Sequence, residues 1–280
     1  MSEGDAALIY LGEFVKQRAG LIIGLDKTYL WQSRLRGLMQ RFALADFDAL
    51  AARLRGGDPA LATAVVESMT THETLFFRDM GPFNHFRKVG LPHFSETRSH
   101  VRTLRIWSAA CSSGQEPYSL AMILLEEQAK LTGWRFEIIA TDVSEGVLQK
   151  AREARFSHFE VQRGLPSLYL AKYFEKDGDS WRLKPAVRDM VTFQPFNLLD
   201  DPRSLGRFDV VFCRNVLIYF DFPTKGAVLD RIGQAMAADG MLYLGGVETV
   251  YGVTDRFGPL GDQRGVYGLV NTSAKAASAA

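Results

Sequence analysis

The sequence predicts an α/β protein: an open, mainly parallel sheet with a small antiparallel insertion, preceded by an all-helical N-terminal domain. Three observations predict it. Before residue 80, apolar residues recur only at helical spacing. After about residue 103, short apolar runs alternate with helical stretches. One later stretch breaks that alternation with an Asp-Gly hairpin signal. The bulk figures allow such an architecture. The chain has 280 residues, 47% hydrophobic and 23% charged, enough for one large domain with a smaller one. The 33 Lys+Arg nearly cancel the 32 Asp+Glu, leaving a net charge of +1, so charge does not suggest a nucleic-acid binder. Two cysteines, Cys111 and Cys213, make no disulfide framework. Residues 1–13 carry acids where a signal peptide needs a basic segment. No apolar run reaches the roughly 18 residues that span a bilayer. A cytoplasmic protein without membrane insertion is expected.

The helical part comes first. Trp31, Leu35, Leu38, Met39 and Phe42 form one helical face, with Asp26 as the expected N-cap. Asp46 is placed to cap the next helix, through Leu50 and Leu54, which Gly56-Gly57 ends. Asp58-Pro59 starts another, through Leu61, Val65 and Met69. Residues 1–80 therefore form a helical domain, and 81–103 a linker with a connecting helix. The α/β domain spans 104–271. Strands are expected at 104–108, 136–141, 190–194, 208–213, 241–245 and 266–270. Helices are expected at 117–130, at 144–154 with Ser144 as cap, and at 224–237, stopped by Asp239-Gly240. Residues 169–174 and 181–185, joined by Lys176-Asp177-Gly178-Asp179, read as the antiparallel insertion, within about 165–188. The Ala/Ser-rich tail, 272–280, reads as disordered.

Chemistry gathers at strand ends. Ligands of an open α/β sheet lie beyond the carboxyl ends of its strands. The loop after the first strand is built of small residues and leads into a helix, but it is not G-x-G-x-x-G. Glu116, at that helix start, repels a pyrophosphate and favours a cation; equally, it complements the helix dipole. Asp142 ends the second strand, where a carboxylate can accept two ribose hydroxyls or cap the next helix. A phosphate-free adenosine ligand fits both acids. S-adenosylmethionine is such a ligand, its tail ammonium pairing with Glu116. In 208–220 an apolar strand breaks into Arg214-Asn215 and resumes with Tyr219. These are strand-end ligand contacts, or else a surface ion pair and a core aromatic. Thr, His and Arg around Phe76-Phe77 stand at the domain junction, a favoured ligand position.

Five segments together carry a resemblance. They are Thr71-His72-Glu73-Thr74-Leu75-Phe76-Phe77-Arg78; Trp107-Ser108-Ala109-Ala110-Cys111-Ser112-Ser113-Gly114-Gln115-Glu116-Pro117-Tyr118-Ser119; Ala140-Thr141-Asp142; Asn197-Leu198-Leu199; and Phe212-Cys213-Arg214-Asn215-Val216-Leu217-Ile218-Tyr219-Phe220. In this order, over about residues 10 to 270, the chain closely resembles the chemotaxis-receptor glutamate O-methyltransferases, the CheR family. The resemblance implies a Rossmann-like S-adenosylmethionine-dependent methyltransferase sheet with an inserted β-subdomain and a receptor-facing helical domain. It implies methyl transfer to glutamates of methyl-accepting chemotaxis proteins, giving glutamate methyl esters and S-adenosylhomocysteine for sensory adaptation. The implied partner is the cytoplasmic helical bundle of a chemoreceptor; neither nucleic acid nor metal is implied. No interface signature stands out, so a monomer is expected.

By position, the resemblance assigns His72, Thr74 and Arg78 to a cofactor-contacting junction motif. Glu116 falls at the tail ammonium, Asp142 at the ribose, and Asn197 and Leu198 on the adenine side. Arg214 and Asn215 match the fourth-strand contact, and Tyr219 the tyrosine near the methyl group. Arg78 and Tyr219 are the expected catalytic pair: Arg78 holds the incoming carboxylate or helps hold the cofactor, and Tyr219 fixes the angle. Two departures stand out. His72 replaces the Asn of many members, keeping one donor and one acceptor. The turn around Asp177-Gly178-Asp179 is shorter than in members that dock on a receptor's C-terminal pentapeptide, which implies pentapeptide independence. Lys27, Arg34 and Arg41, seven residues apart, form either a guide for an acidic helix or a solvated edge. A methyltransferase for another substrate and a non-catalytic cofactor-binding signalling module are the alternatives.

Overall fold

The structure is a computed structural model and describes residues 3–270. It divides into two units. The first takes in the chain up to His72 together with Tyr219–Thr224; the second takes in Glu73–Ile218 and the chain from Lys225 onward.

The first unit is built on α1 (Glu3–Ala19), α2 (Thr28–Arg41), α3 (Phe47–Arg55) and α4 (Pro59–Met69). Trp31, Leu35 and Leu38 of α2 are buried with Leu11 and Val15 of α1, Leu50 and Leu54 of α3, and Leu61 and Val65 of α4. Asp46 accepts the Ala49 amide at 2.8 Å, and Asp58 accepts that of Leu61 at 3.0 Å, with Pro59 in the first turn. Asp26 does not cap α2. The chain makes a 3₁₀ turn at Leu25–Lys27 first, so Lys27 stands at the N-cap with no side-chain bond. The short segment Tyr219–Thr224 is tied in by backbone: Ile22 N–H donates to Tyr219 O at 2.9 Å, and Leu21 bridges Phe220. Lys16 pairs with Asp221 at 2.9 Å, and the Thr224 amide donates to the same carboxylate at 2.9 Å.

The second unit opens with α5 (Gly81–His85), a π-helical turn (Phe86–Gly90) and α6 (Leu91–Thr97). Pro92 has no N–H to give Lys88, and the wider i→i−5 turn just before it, with Leu91 N–H on Phe86 O, accommodates the break. A sheet follows. Its chain order is β1 (Thr103–Ala109), α7 (Gln115–Glu127), β2 (Arg135–Asp142), α8 (Glu145–Glu153), β3 (Arg155–Ser157), α9 (His158–Gln162), α10 (Ser167–Tyr173), β4 (Phe174–Asp177), β5 (Ser180–Leu183), α11 (Pro185–Arg188), β6 (Val191–Pro195), β7 (Phe208–Cys213), α12 (Phe222–Gln234), β8 (Met236–Leu244), β9 (Phe257–Pro259) and β10 (Val266–Leu269).

Seven strands run in the order β6-β2-β1-β7-β8-β10-β9. The first five are mutually parallel, and β10 is antiparallel to β8 and β9. All six residues of β7 are buried, as a central parallel strand covered on both faces requires. Strand order reverses at β1, so the crevice for a ligand opens beyond its carboxyl end. Ala109 pairs with both Thr141 and Cys213, which brings the ends of β1, β2 and β7 level there.

Two further local expectations differ from the structure. Residues 169–173 are helical, not strand: Tyr169, Leu170 and Tyr173 sit at helical spacing on α10, and the Tyr169 ring packs on Phe77 and Tyr173. The hairpin is β4–β5 alone, closed by Gly178-Asp179 with Gly178 at φ +61°, and β3 completes its three-stranded sheet. Asp239-Gly240 does not stop a helix. The helix ends at Gln234, and β8 carries through, its pairing with β7 slipping between Phe208 and Val210. A Cβ on Gly240 would sit 3.0 Å from Asp209 O, so the irregularity needs a glycine. The tail at 272–280 lies outside the described residues.

Candidate functional site

The loop after β1 is held in a rare conformation. Ala110 (φ +56°), Ser112 (φ +52°) and Gly114 (φ +94°) are all left-handed within five residues, at a cost of roughly 1 kcal/mol or more for each non-glycine. Fixed acceptors offset it. The Cys111 amide donates to Thr141 O at 2.8 Å, and that of Ser112 to Asp142 Oδ2 at 2.9 Å. A Cβ on Gly114 would lie 3.0 Å from the Tyr118 ring and 3.1 Å from Ala151 Cβ. Asp142, 6% exposed, also accepts the Ser144 amide at 3.1 Å. Ser144 rather than Asp142 caps α8, through Val147 N–H. Asp142 thus ties the end of β2 to the loop that leads into α7.

Glu116 stands in the first turn of α7 and is more than a dipole complement. One oxygen accepts Ser108 Oγ at 2.8 Å; the other accepts Arg214 Nη1 at 3.0 Å. Burial pushes its carboxyl above the ordinary carboxylate range, against the pull of Arg214 and Ser108. Arg214 is no surface ion pair. Its side chain is 1% exposed, its guanidinium lies 5.4 Å from the Phe83 ring centroid, and Nη2 donates to Arg78 O and Asp79 Oδ2, both at 2.8 Å. Arg214 Nε is buried with no partner.

After Arg214 the chain turns sharply at Asn215 (φ +59°). The turn is clamped by Glu248, which sequence reasoning missed. Its carboxylate accepts the amides of Asn215 (2.7 Å), Val216 (3.0 Å), Leu217 (2.8 Å) and Gly245 (2.7 Å). The available signal was an acid shortly after the Gly245-Gly246 pair that ends a strand.

The other expected residues are placed as follows. Asn197 and Leu198 follow β6; Asn197 Oδ1 accepts the Leu199 amide at 3.0 Å, and Leu198 is buried. Arg78 donates to Glu73 O at 3.0 Å in a segment with Phe77 and Asp79 left-handed. The Phe77 amide donates to Ser119 Oγ, and the Phe76 ring packs edge-on against Phe156 and Phe174, while Thr74 is half-buried. Hydrogen bonds therefore join Arg78, Glu116 and Arg214, with Asn215 on the same turn. His72 and Tyr219 belong to the first unit. His72 Nε2 lies 2.7 Å from Thr70 Oγ1. Tyr219 is half-buried and lines a cavity of about 150 Å³ with Leu21, Ile22, Lys27, Arg34, Met69 and Thr71. The Lys27–Arg34–Arg41 alignment needs correcting. Arg34 donates to Met69 O at 2.5 Å and Thr71 Oγ1 at 2.8 Å, so it holds the end of α4 and is neither a free guide nor a merely solvated edge.

In the second unit the set suits a cationic nucleoside without phosphates. One enclosed carboxylate, Asp142, ends β2, another, Glu116, opens the helix after β1, and the buried guanidinium is already engaged by Glu116 and Asp79. Both cysteines are buried free thiols whose ionisation burial opposes. Among the described residues no cluster of His, Cys, Asp or Glu is placed to hold a metal ion, and no helix is long and apolar enough to cross a membrane.

Comparison with known proteins gives one pattern across the chain. Residues 72–266 match the family model "CheR methyltransferase, SAM binding domain", and residues 6–70 match "CheR methyltransferase, all-alpha domain". The chain is 40% identical over 265 residues to chemotaxis protein methyltransferase Cher2 of Pseudomonas putida, covering 92% of this chain and 95% of that one. It is 40% identical over 261 residues to chemotaxis protein methyltransferase 1 of Pseudomonas aeruginosa, again covering 92% and 95%. The chemotaxis protein methyltransferase of Vibrio parahaemolyticus is 40% identical over 248 residues, covering 87% of this chain and 89% of its own.

Proposed function

The chain belongs to the CheR methyltransferase family, with S-adenosylmethionine as its cofactor, and on that premise we propose that it methylates glutamate side chains of chemoreceptors. The observation that carries the reading is the pair of enclosed acids, Asp142 at the end of β2 and Glu116 in the first turn of the helix after β1, inside a family match that spans both units.

A glutamate carboxylate has a reference pKa of about 4.3 and is ionised at neutral pH, so the transfer needs no strong base. When bound, the cofactor supplies an electrophilic methyl on a sulfonium: an O–CH₃ bond forms as the S–CH₃ bond breaks, leaving S-adenosylhomocysteine. The protein's task is placement and exclusion of water, which can lower a barrier by several kcal/mol, on the order of 7–11 at the limit. Asp142 accepts the ribose hydroxyls, and Glu116 pairs with the tail ammonium. Asn197 and Leu198 hold the adenine side, and Arg214 and Asn215 form the wall at the end of β7. Thr74 and His72 complete the junction motif by position. Arg78 holds the incoming carboxylate by charge-assisted hydrogen bonds, and Tyr219 fixes its angle. Too tight a grip by Arg78 would slow the step, because the carboxylate charge disperses in the transition state.

The test is chemical. Incubation with S-adenosylmethionine and receptor yields base-labile methyl esters that release volatile methanol. Cofactor binding with no ester on any receptor would overturn the enzyme reading in favour of a binding module. The helical first unit is the receptor-facing part. The two-residue Gly178-Asp179 connection supports pentapeptide independence. A receptor lacking its last five residues should be methylated with KM within about twofold of the intact one, whereas a loss of tenfold or more, about 1.4 kcal/mol, would remove that part of the reading.

A further inference from the structure

We propose that Glu248 is a positioning residue for the cofactor, acting through the Arg214-Asn215 turn; the proposal rests on the cofactor assignment above. Glu248 is 6% exposed, yet among the described residues no cation pairs with it. Its charge is met by four backbone amides instead, an anion nest made by the chain itself. Those amides come from two places. Asn215, Val216 and Leu217 follow the end of β7; Gly245 follows the end of β8. One carboxylate thereby locks the ends of two neighbouring parallel strands to each other, at the edge where the ligand crevice opens.

The lock has a consequence for chemistry-bearing side chains. Asn215 is left-handed, a conformation that Asn tolerates but that still needs outside support. The support is the 2.7 Å bond from its own amide to Glu248. Arg214, one residue earlier, must aim its guanidinium at Glu116, Asp79 and Arg78 O while its Nε stays without a partner. A turn free to relax would let Arg214 swing away and leave Glu116 without its cation. Gly245 is part of the same device. A Cβ there would lie 2.6 Å from Glu248 Oε2, 2.8 Å from Asn215 Nδ2 and 3.0 Å from the Asn215 amide. Only a residue without a side chain lets the carboxylate and the Asn215 amide meet.

Two variants of different chemistry test this. Glu248→Gln keeps the shape but turns one acceptor into a donor facing two amides. Gly245→Ala keeps every charge and pushes the carboxylate out of register. Both should weaken S-adenosylhomocysteine binding by about tenfold or more in calorimetry, and raise KM for S-adenosylmethionine alike, while kcat at saturating cofactor falls less than about threefold. Val228→Ala, in the core of α12 (Val228 is 0% exposed), lowers stability without touching the turn and should leave the affinity within about twofold. Should Glu248→Gln bind within about twofold of the wild type, or lose no more affinity than Val228→Ala at an equal fall in melting temperature, the positioning role is gone. If Glu248→Gln does not fold, Gly245→Ala decides by the same measure. Failure of the unmodified protein to bind S-adenosylhomocysteine would instead refute the cofactor assignment, a result visible before any variant is made.

Discussion

At Asp142 the carboxylate already accepts the amides of Ser112 and Ser144, so a ribose would share it with the loop it supports. Asp142→Ala should therefore lower both affinity and stability: S-adenosylhomocysteine binding by about tenfold or more in calorimetry, and folding stability by about 1–3 kcal/mol in urea denaturation, since buried amides lose a charged acceptor. Glu116 makes a pH prediction. Burial raises its pKa, so its charged form costs stability at neutral pH, and acidification through the raised pKa relieves that cost. Pairing with an ammonium needs the charged form. Cofactor affinity should fall as pH drops from neutral toward that raised pKa, starting above the ordinary carboxylate range, and Glu116→Gln should bind more weakly at neutral pH with a flat profile. A wild-type profile that is flat above pH about 4.5 would remove Glu116 from the tail site. Both acids drew notice in the sequence from local pattern alone, Asp142 as the polar end of an apolar strand and Glu116 at a helix start after a small-residue loop, and the structure encloses both. Glu248 drew none. Its partners are backbone amides, three of them more than 30 residues away, and backbone amides leave no mark in a residue pattern.

Elements were legible where a local rule acts alone. The caps at Asp46 and Asp58 follow from their own neighbours, and both accept the expected amides. Asp26 failed because a 3₁₀ turn intervenes, and composition does not separate that turn from the helix after it. Residues 169–173 were misread because a short apolar run fits either period, and rings from Phe77 and Tyr173 around Tyr169 settled it. The π turn before Pro92 carries its own prediction. A Cβ at Gly90 would lie 3.1 Å from Tyr243 Oη and 3.2 Å from the Phe86 ring. Gly90→Ala should cost about 1–3 kcal/mol by crowding, despite alanine's better helix propensity, as read from urea denaturation. Unchanged or increased stability would mean that the turn relaxes freely.

For the molecule as a whole, alternation of strands and helices made an open parallel sheet legible, but not its order. Nothing local says that β7 returns beside β1, since that depends on a crossover from β6. The return of residues 219–224 to the helical unit was equally hidden. The matched family regions meet near residue 71, whereas the physical first unit also claims Tyr219–Thr224 from far along the chain. Leu21, Ile22 and Lys16 secure that segment. A chimera that exchanges residues 1–72 for those of a relative, leaving 219–224 unchanged, should melt lower than one that exchanges both, by about 2–4 °C for each kcal/mol of mismatch. Equal melting would show that the segment is indifferent to its helical neighbours.

Asp221 within that segment shows how the tie behaves in acid. The Thr224 hydroxyl and amide, together with Lys16, hold its pKa down to about 2. The stabilisation is complete above the unfolded value near 3.8 and fades only as pH falls toward about 2. Because the chain enters the helical unit twice, that unit is encoded by two stretches of gene separated by most of the catalytic sheet. A crossover placed at the obvious seam would hand an offspring protein half of a handshake. Exchange of the front half alone would therefore part residues 1–72 from the six-residue passenger that completes their unit.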